Sequence, residues 1–156
     1  MVAGVEQVLF GSAAAAAAMI CHREISSREL TRLVLDRIDA ANPGLNAVAE
    51  LRREAALREA AAADQAIARG EPTGPLHGVP MTIKEAFNVA GLHTTWGNPA
   101  FREFTADRDA AVVRRLRHSQ RHRGAAGDGG SPPSARERVP SVLRCAHGLA
   151  PEVSRT

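Results

Sequence analysis

The 156-residue sequence predicts an α/β chain, with helices first and β-type runs after them. Three observations lead there. Apolar residues Leu30, Leu33, Val34 and Ile38 recur at helical period behind a capping signal. An alanine-rich stretch from about Arg53 to Arg69 has high helix propensity. Then the pattern changes: a loop rich in proline and glycine runs into Met81-Thr82-Ile83, a β-type run that Pro80 can precede without having to donate an N–H.

The elements follow in order. Ser12 before Ala13–Ala18, Met19 and Ile20 reads as an N-capped short helix. Ser26 and Glu29 have capping-box spacing and open the second helix, which Asn42-Pro43-Gly44 is expected to end. Leu45–Ala49 reads as a short strand. The third helix should stop at Gly70, placed as its C-terminal cap. Its alanines fit two readings: close packing against a neighbour, or a surface helix of high propensity. A fourth helix carries Val112, Val113 and Leu116, is capped by Asp107 or Asp109, and ends near Arg117.

Composition bounds the functions. Thirty alanines, four Phe, one Trp and no Tyr leave few large groups for a core. Residues 1–117 hold 14 basic and 14 acidic side chains, so the net charge of +3 comes from six arginines against Asp128, Glu137 and Glu152 in residues 118–156. That tail has no lysine and no aromatic ring to stack on a base, which argues against nucleic acid as a partner. Cys21 and Cys145 fit no metal or redox spacing, and no cofactor or metal is expected. The segment Ser12–Ile20 lacks the preceding positive charge of a signal peptide, and no run approaches the roughly 18 apolar residues that cross a bilayer. A cytoplasmic chain without membrane contact is the expectation; oligomeric state is not legible.

Chemistry concentrates in Gly74-Pro75-Leu76-His77-Gly78-Val79-Pro80-Met81-Thr82-Ile83-Lys84-Glu85, a stiff loop entering a strand that delivers Lys84, the only lysine, near its end. A lysine drawn out of water is more often neutral and can then act as a base. From the residues alone, a lysine at a strand end that snorkels to solvent is the favoured reading. His77 and His93, in loops near the lysine, are expected to be packing or hydrogen-bonding residues. Cys21 beside His22 is expected to be inert, and Trp96 is a rare large apolar side chain.

The order of these motifs resembles the amidase signature family. Besides the loop and Ile83-Lys84-Glu85, it includes Ile25-Ser26-Ser27-Arg28-Glu29-Leu30, Asn42-Pro43-Gly44-Leu45-Asn46-Ala47 and Ala62-Ala63-Asp64. Downstream come Ala90-Gly91-Leu92-His93-Thr94-Thr95-Trp96-Gly97 and Asp107-Arg108-Asp109-Ala110-Ala111-Val112-Val113, so the match covers about residues 8–117. The resemblance implies the N-terminal helices and first strands of that family's mixed-sheet fold, cut short. It also implies hydrolysis of a small-molecule carboxamide by a serine nucleophile, a second serine in cis geometry and a lysine. Only the lysine carries over, onto Lys84, as the catalytic residue. Glu85 stands where the family has an acidic residue.

The serines do not carry over. Gly129-Gly130-Ser131 imitates the family's Gly/Ser-rich stretch, but Pro132-Pro133 follows, and proline has no N–H for an oxyanion site. The chain alone is therefore expected to be inactive. The alternatives are a non-catalytic binding module and a remnant of the amidase subunit of a tRNA-dependent amidotransferase. Beyond the 117/118 boundary, 23 of 39 residues are Arg, His, Pro, Gly or Ser, a composition expected to be disordered. His122-Arg123-Gly124, from codons such as CAT-CGT-GGT, would read Ile-Val one nucleotide later, as a buried strand requires. A shift of reading frame near residue 117 is the expected origin of the tail.

Overall fold

The computed structural model describes residues 8–71 and 73–120, and the backbone of 142–145. Helix α1 spans Ala13–Cys21 and α2 spans Ser27–Leu45; strand β1 (Val48–Glu50) and helix α3 (Arg53–Ala68) follow. Strand β2 is Met81–Lys84, a 3-10 turn covers Pro99–Phe101, helix α4 runs Ala111–Gln120, and β3 is Val142–Cys145.

Local signals account for most of the helix ends. Ser12 Oγ accepts the Ala15 amide at 3.1 Å. Ser26 Oγ accepts the Glu29 amide at 3.1 Å while the Glu29 carboxylate accepts the Ser26 amide at 2.9 Å, completing the capping box. Bonds from the Ser26 amide and hydroxyl hold the Glu29 carboxyl below its usual range. Gly70 takes φ +68 after α3, and the Gly70 and Glu71 amides close back onto Ile67 and Ala66.

Four boundaries differ from the sequence reading, the first being the strand read at Leu45–Ala49, which is Val48–Glu50, with Leu45 in α2. Helix α2 continues through Pro43 to Leu45; Asn46, at φ 48, ends it, its amide donating to Asn42 O at 2.7 Å. Asp109 does not cap α4: its carboxylate accepts the Ala90 amide at 2.8 Å and pairs with Arg117 Nη1 at 2.8 Å. Helix α4 ends at Gln120, three residues past the boundary placed at Arg117. Strand β3 also lies beyond that boundary, and the rest of the tail, Ser131 included, lies outside the described residues.

The sheet is mixed, in the order β1-β3-β2. Strand β3 runs antiparallel to β1 and parallel to β2, with Met81 opposite Val142 and Lys84 opposite Cys145. Alternation along β2 sends Ile83 inward, where it packs with Val89, Leu92 and Val113. A second cluster joins Ile20 of α1, Leu30 of α2 and Val79 of the loop. A third joins Leu35 of α2 to Ala56 of α3. Of the two readings of the α3 alanines, close packing holds for Ala56 and Ala60, both buried. Burying each Leu or Ile contributes roughly 1.5–3 kcal/mol.

Helix α3 also carries Glu59, largely buried, with Arg52 Nη2 at 3.8 Å. Burial pushes its carboxyl up to about 7, against the pull of Arg52, Arg117 and Arg58. A carboxyl raised in the folded state contributes no penalty below its unfolded value of 4.5 and becomes destabilising as pH rises through about 7. Glu59→Gln, which mimics the protonated acid, is expected to raise the urea midpoint at pH 8 and leave it nearly unchanged at pH 4.5. An equal shift at both pH values would contradict this.

Candidate active site

The loop from Thr73 to Pro80 is held from three sides before it enters β2. From the start of α2, Ser27 Oγ donates to Gly78 O at 2.5 Å. From the end of α4, Gln120 Nε2 donates to Val79 O at 2.6 Å, and the Leu76 amide donates to Ser119 O at 3.1 Å. His77 bridges α3 and α4, with Nε2 3.0 Å from Ala63 O and Nδ1 2.9 Å from Gln120 O. Asp64 fixes the far side of the same joint, accepting the Ser27 and Arg28 amides at 2.7 and 3.1 Å.

Gly78 is where this joint is tightest. Its φ of +73 is left-handed, and a Cβ built on it would lie 3.0 Å from both Cβ and Oγ of Ser27. The loop thus delivers β2 at a fixed register, and the period-2 alternation that buries Ile83 turns Lys84 to the opposite face, where it is exposed. This solvent-facing placement is the one the residues alone favour for a lysine at a strand end. The Phe87 amide closes a turn onto Lys84 O at 3.0 Å, so the strand ends at the lysine.

Glu85, next in sequence, turns inward and is buried. Its carboxylate accepts the amides of Thr95 and Trp96, the latter at 2.9 Å. Trp96 stands at φ 53, a left-handed conformation that costs a non-glycine residue about 1–2 kcal/mol. Its indole Nε1 donates to Ala86 O at 2.8 Å, and its ring meets Phe101 edge-on at 6.3 Å, while two-thirds of the residue stays exposed. Phe87, Phe101 and Phe104 are exposed nearby in sequence.

Glu85 and Trp96 therefore meet just past the end of β2, next in sequence to Lys84, whereas the other candidates lie apart. His77 is a structural bridge, in keeping with its sequence reading. His93 Nδ1 lies 3.8 Å from Glu50 Oε2, and His22 Nδ1 lies 3.7 Å from Glu24 Oε1. Cys21 is a free, exposed thiol. Sequence reasoning missed the bonds from Ser27, Asp64 and Gln120 to the loop joint. The motif stretches containing Ser27 and Asp64 marked those positions without saying what they hold.

The amidase family model matches residues 29–122, a span that includes the loop, Lys84 and α4. The chain belongs to the amidase signature family. An acylamidase of Rhodococcus erythropolis is 41% identical over 106 residues, covering 68% of this chain and 22% of the relative. A glutamyl-tRNA(Gln) amidotransferase subunit of Alkalilimnicola ehrlichii is 50% identical over 93 residues, 60% of this chain and 19% of that one. Among solved structures, the native peptide amidase of Stenotrophomonas maltophilia superposes with a TM-score of 0.63 at 40% identity, over 69% of this chain and 22% of that one. The chain thus spans about a fifth of the length of these relatives. No helix among the described residues is long and apolar enough to cross a membrane.

Proposed function

We propose that this chain carries the lysine-bearing portion of an amidase that hydrolyses carboxamides to a carboxylate and ammonia or an amine. The observation that supports it most is positional: the only lysine closes the strand that the anchored Gly74–Pro80 loop feeds. In the reaction, the neutral amine of Lys84 takes a proton from a bridging serine, which takes the proton of the nucleophilic serine as that oxygen attacks the amide carbon. The amine leaves with a proton, and water then releases the carboxylate from the acyl-serine. Backbone N–H groups near the nucleophile stabilise the oxyanion of each tetrahedral intermediate.

Neither serine is among these 156 residues in the family's order, and Ser131 is followed by two prolines. The isolated chain is therefore expected to release no ammonia from a panel of simple amides. Turnover that Lys84→Ala abolishes would mean a working site exists in it after all. A frame-shift origin of the tail beyond about residue 117 belongs to the same proposal; the family match runs to 122. A cytoplasmic location belongs to it too.

A second reading is the amidase subunit of a tRNA-dependent amidotransferase. The 50% identity to the Alkalilimnicola ehrlichii protein favours it. Thr94-Thr95-Trp96-Gly97 looks more like a stand-alone amidase, which keeps the first reading ahead.

A further inference from the structure

We propose that Glu85 is a positioning residue of the Lys84 site, clamping the 95–97 loop so that the Trp96 indole stands as a fixed wall at the end of β2. The proposal rests on the amidase reading of Lys84, since a wall at a strand end matters only if chemistry occurs there. Its structural basis is independent of that reading. Two consecutive amides, Thr95 and Trp96, donate to the two oxygens of one buried carboxylate. The indole Nε1 of the same tryptophan donates to Ala86 O, so the residue is tied down at backbone and ring alike. The Gly97 amide donates to Thr95 Oγ1 at 3.2 Å, closing the loop on itself.

Ordinary packing does not call for this arrangement. A tryptophan serving the core would be buried; this one is 67% exposed and still anchored at both ends. A left-handed non-glycine backbone persists only where its surroundings over-determine it, and such positions cluster at functional sites. A carboxylate accepting adjacent amides is the over-determining group here. Glutamine cannot replace it, because its NH2 would face one of the two amide donors.

Trp96 is the only tryptophan, so the fluorescence of the full 156-residue chain reports this loop alone. In the native chain, exchange of the Thr95 and Trp96 amides is expected to be slowed by about tenfold to a hundredfold relative to an unstructured peptide. Glu85→Gln is expected to raise acrylamide quenching of Trp96 by about twofold and to lower its anisotropy. Glu85→Asp, which keeps both oxygens, restores most of the native signal. Leu35→Ala, a purely destabilising core change, leaves the Trp96 signature of the folded chain alone.

Unprotected Thr95 and Trp96 amides in the native chain would overturn the proposal, even if Glu85→Gln failed to fold. So would a folded Glu85→Gln chain with unaltered Trp96 signals, or one that Glu85→Asp matches in damage. Lys84→Ala is expected to leave every one of these signals in place. An inert Lys84 would thus sink the amidase reading without touching the clamp, and a missing clamp would leave the role of Lys84 standing.

Discussion

Lys84→Ala is expected to lower amide hydrolysis by about 10²–10⁴-fold in a chimera whose N-terminal segment is residues 8–120 of this chain, grafted onto the remainder of the Stenotrophomonas maltophilia peptide amidase. The graft supplies a nucleophile and a bridging hydroxyl, and covers the exposed face on which Lys84 stands. Lys84→Arg makes the test sharper. A guanidinium keeps the positive charge and much of the length but does not give up its proton at any working pH. If Lys84 acts by accepting a proton, the arginine variant falls as far as the alanine variant. If it acts only as a local positive charge, the arginine variant retains activity within about tenfold of the parent graft, and the proposed role is wrong. Measuring kcat and KM for both variants separates loss of chemistry from loss of substrate affinity.

The second large effect is structural. Gly78→Ala is expected to destabilise the chain by about 2–4 kcal/mol, read as a fall in the urea midpoint at unchanged slope. Two penalties combine at one atom. The backbone at φ +73 disfavours any Cβ, and the new methyl would meet Ser27 Cβ and Oγ at 3.0 Å with Ile20 Cγ2 at 3.4 Å behind them. Ser27 cannot yield cheaply, because its hydroxyl donates to Gly78 O and its amide is held by Asp64. Gly91→Ala is the control: φ is +79, but nothing lies within 4 Å of the added carbon, so only the backbone penalty applies. Equal losses at the two positions would show that the Ser27 contact is not what makes Gly78 necessary.

Features that depend on a few neighbouring residues are legible in the sequence. The Ser12 cap, the Ser26–Glu29 box, Gly70 as terminator and the inward turn of Ile83 all follow from short-range rules. What is not legible depends on residues far apart in the chain. Asp109 carries a capping side chain, but the Ala90 amide and Arg117 claim it once the fold brings them near. Pro43 reads as a helix breaker, yet α2 continues two residues past it. Glu85 reads in the sequence only as an acidic residue beside the lysine; the folded chain supplies the Thr95 and Trp96 amides that give it a task. Lys84 is found by its motif, while its exposure depends on what covers the outer face of β2, which no local pattern encodes.

The strand order has a consequence for how the chain comes together. Strands β1 and β2 are not neighbours in the sheet; each is tied to the other through β3, which follows β1 only after α3, β2 and α4. During synthesis, α1, α2 and the loop at Val79 can bury their cluster as soon as they emerge, whereas the sheet waits for β3 to leave the ribosome. Until then β2, though its loop is anchored, lacks its central partner, so the sheet is among the later features of the molecule to form.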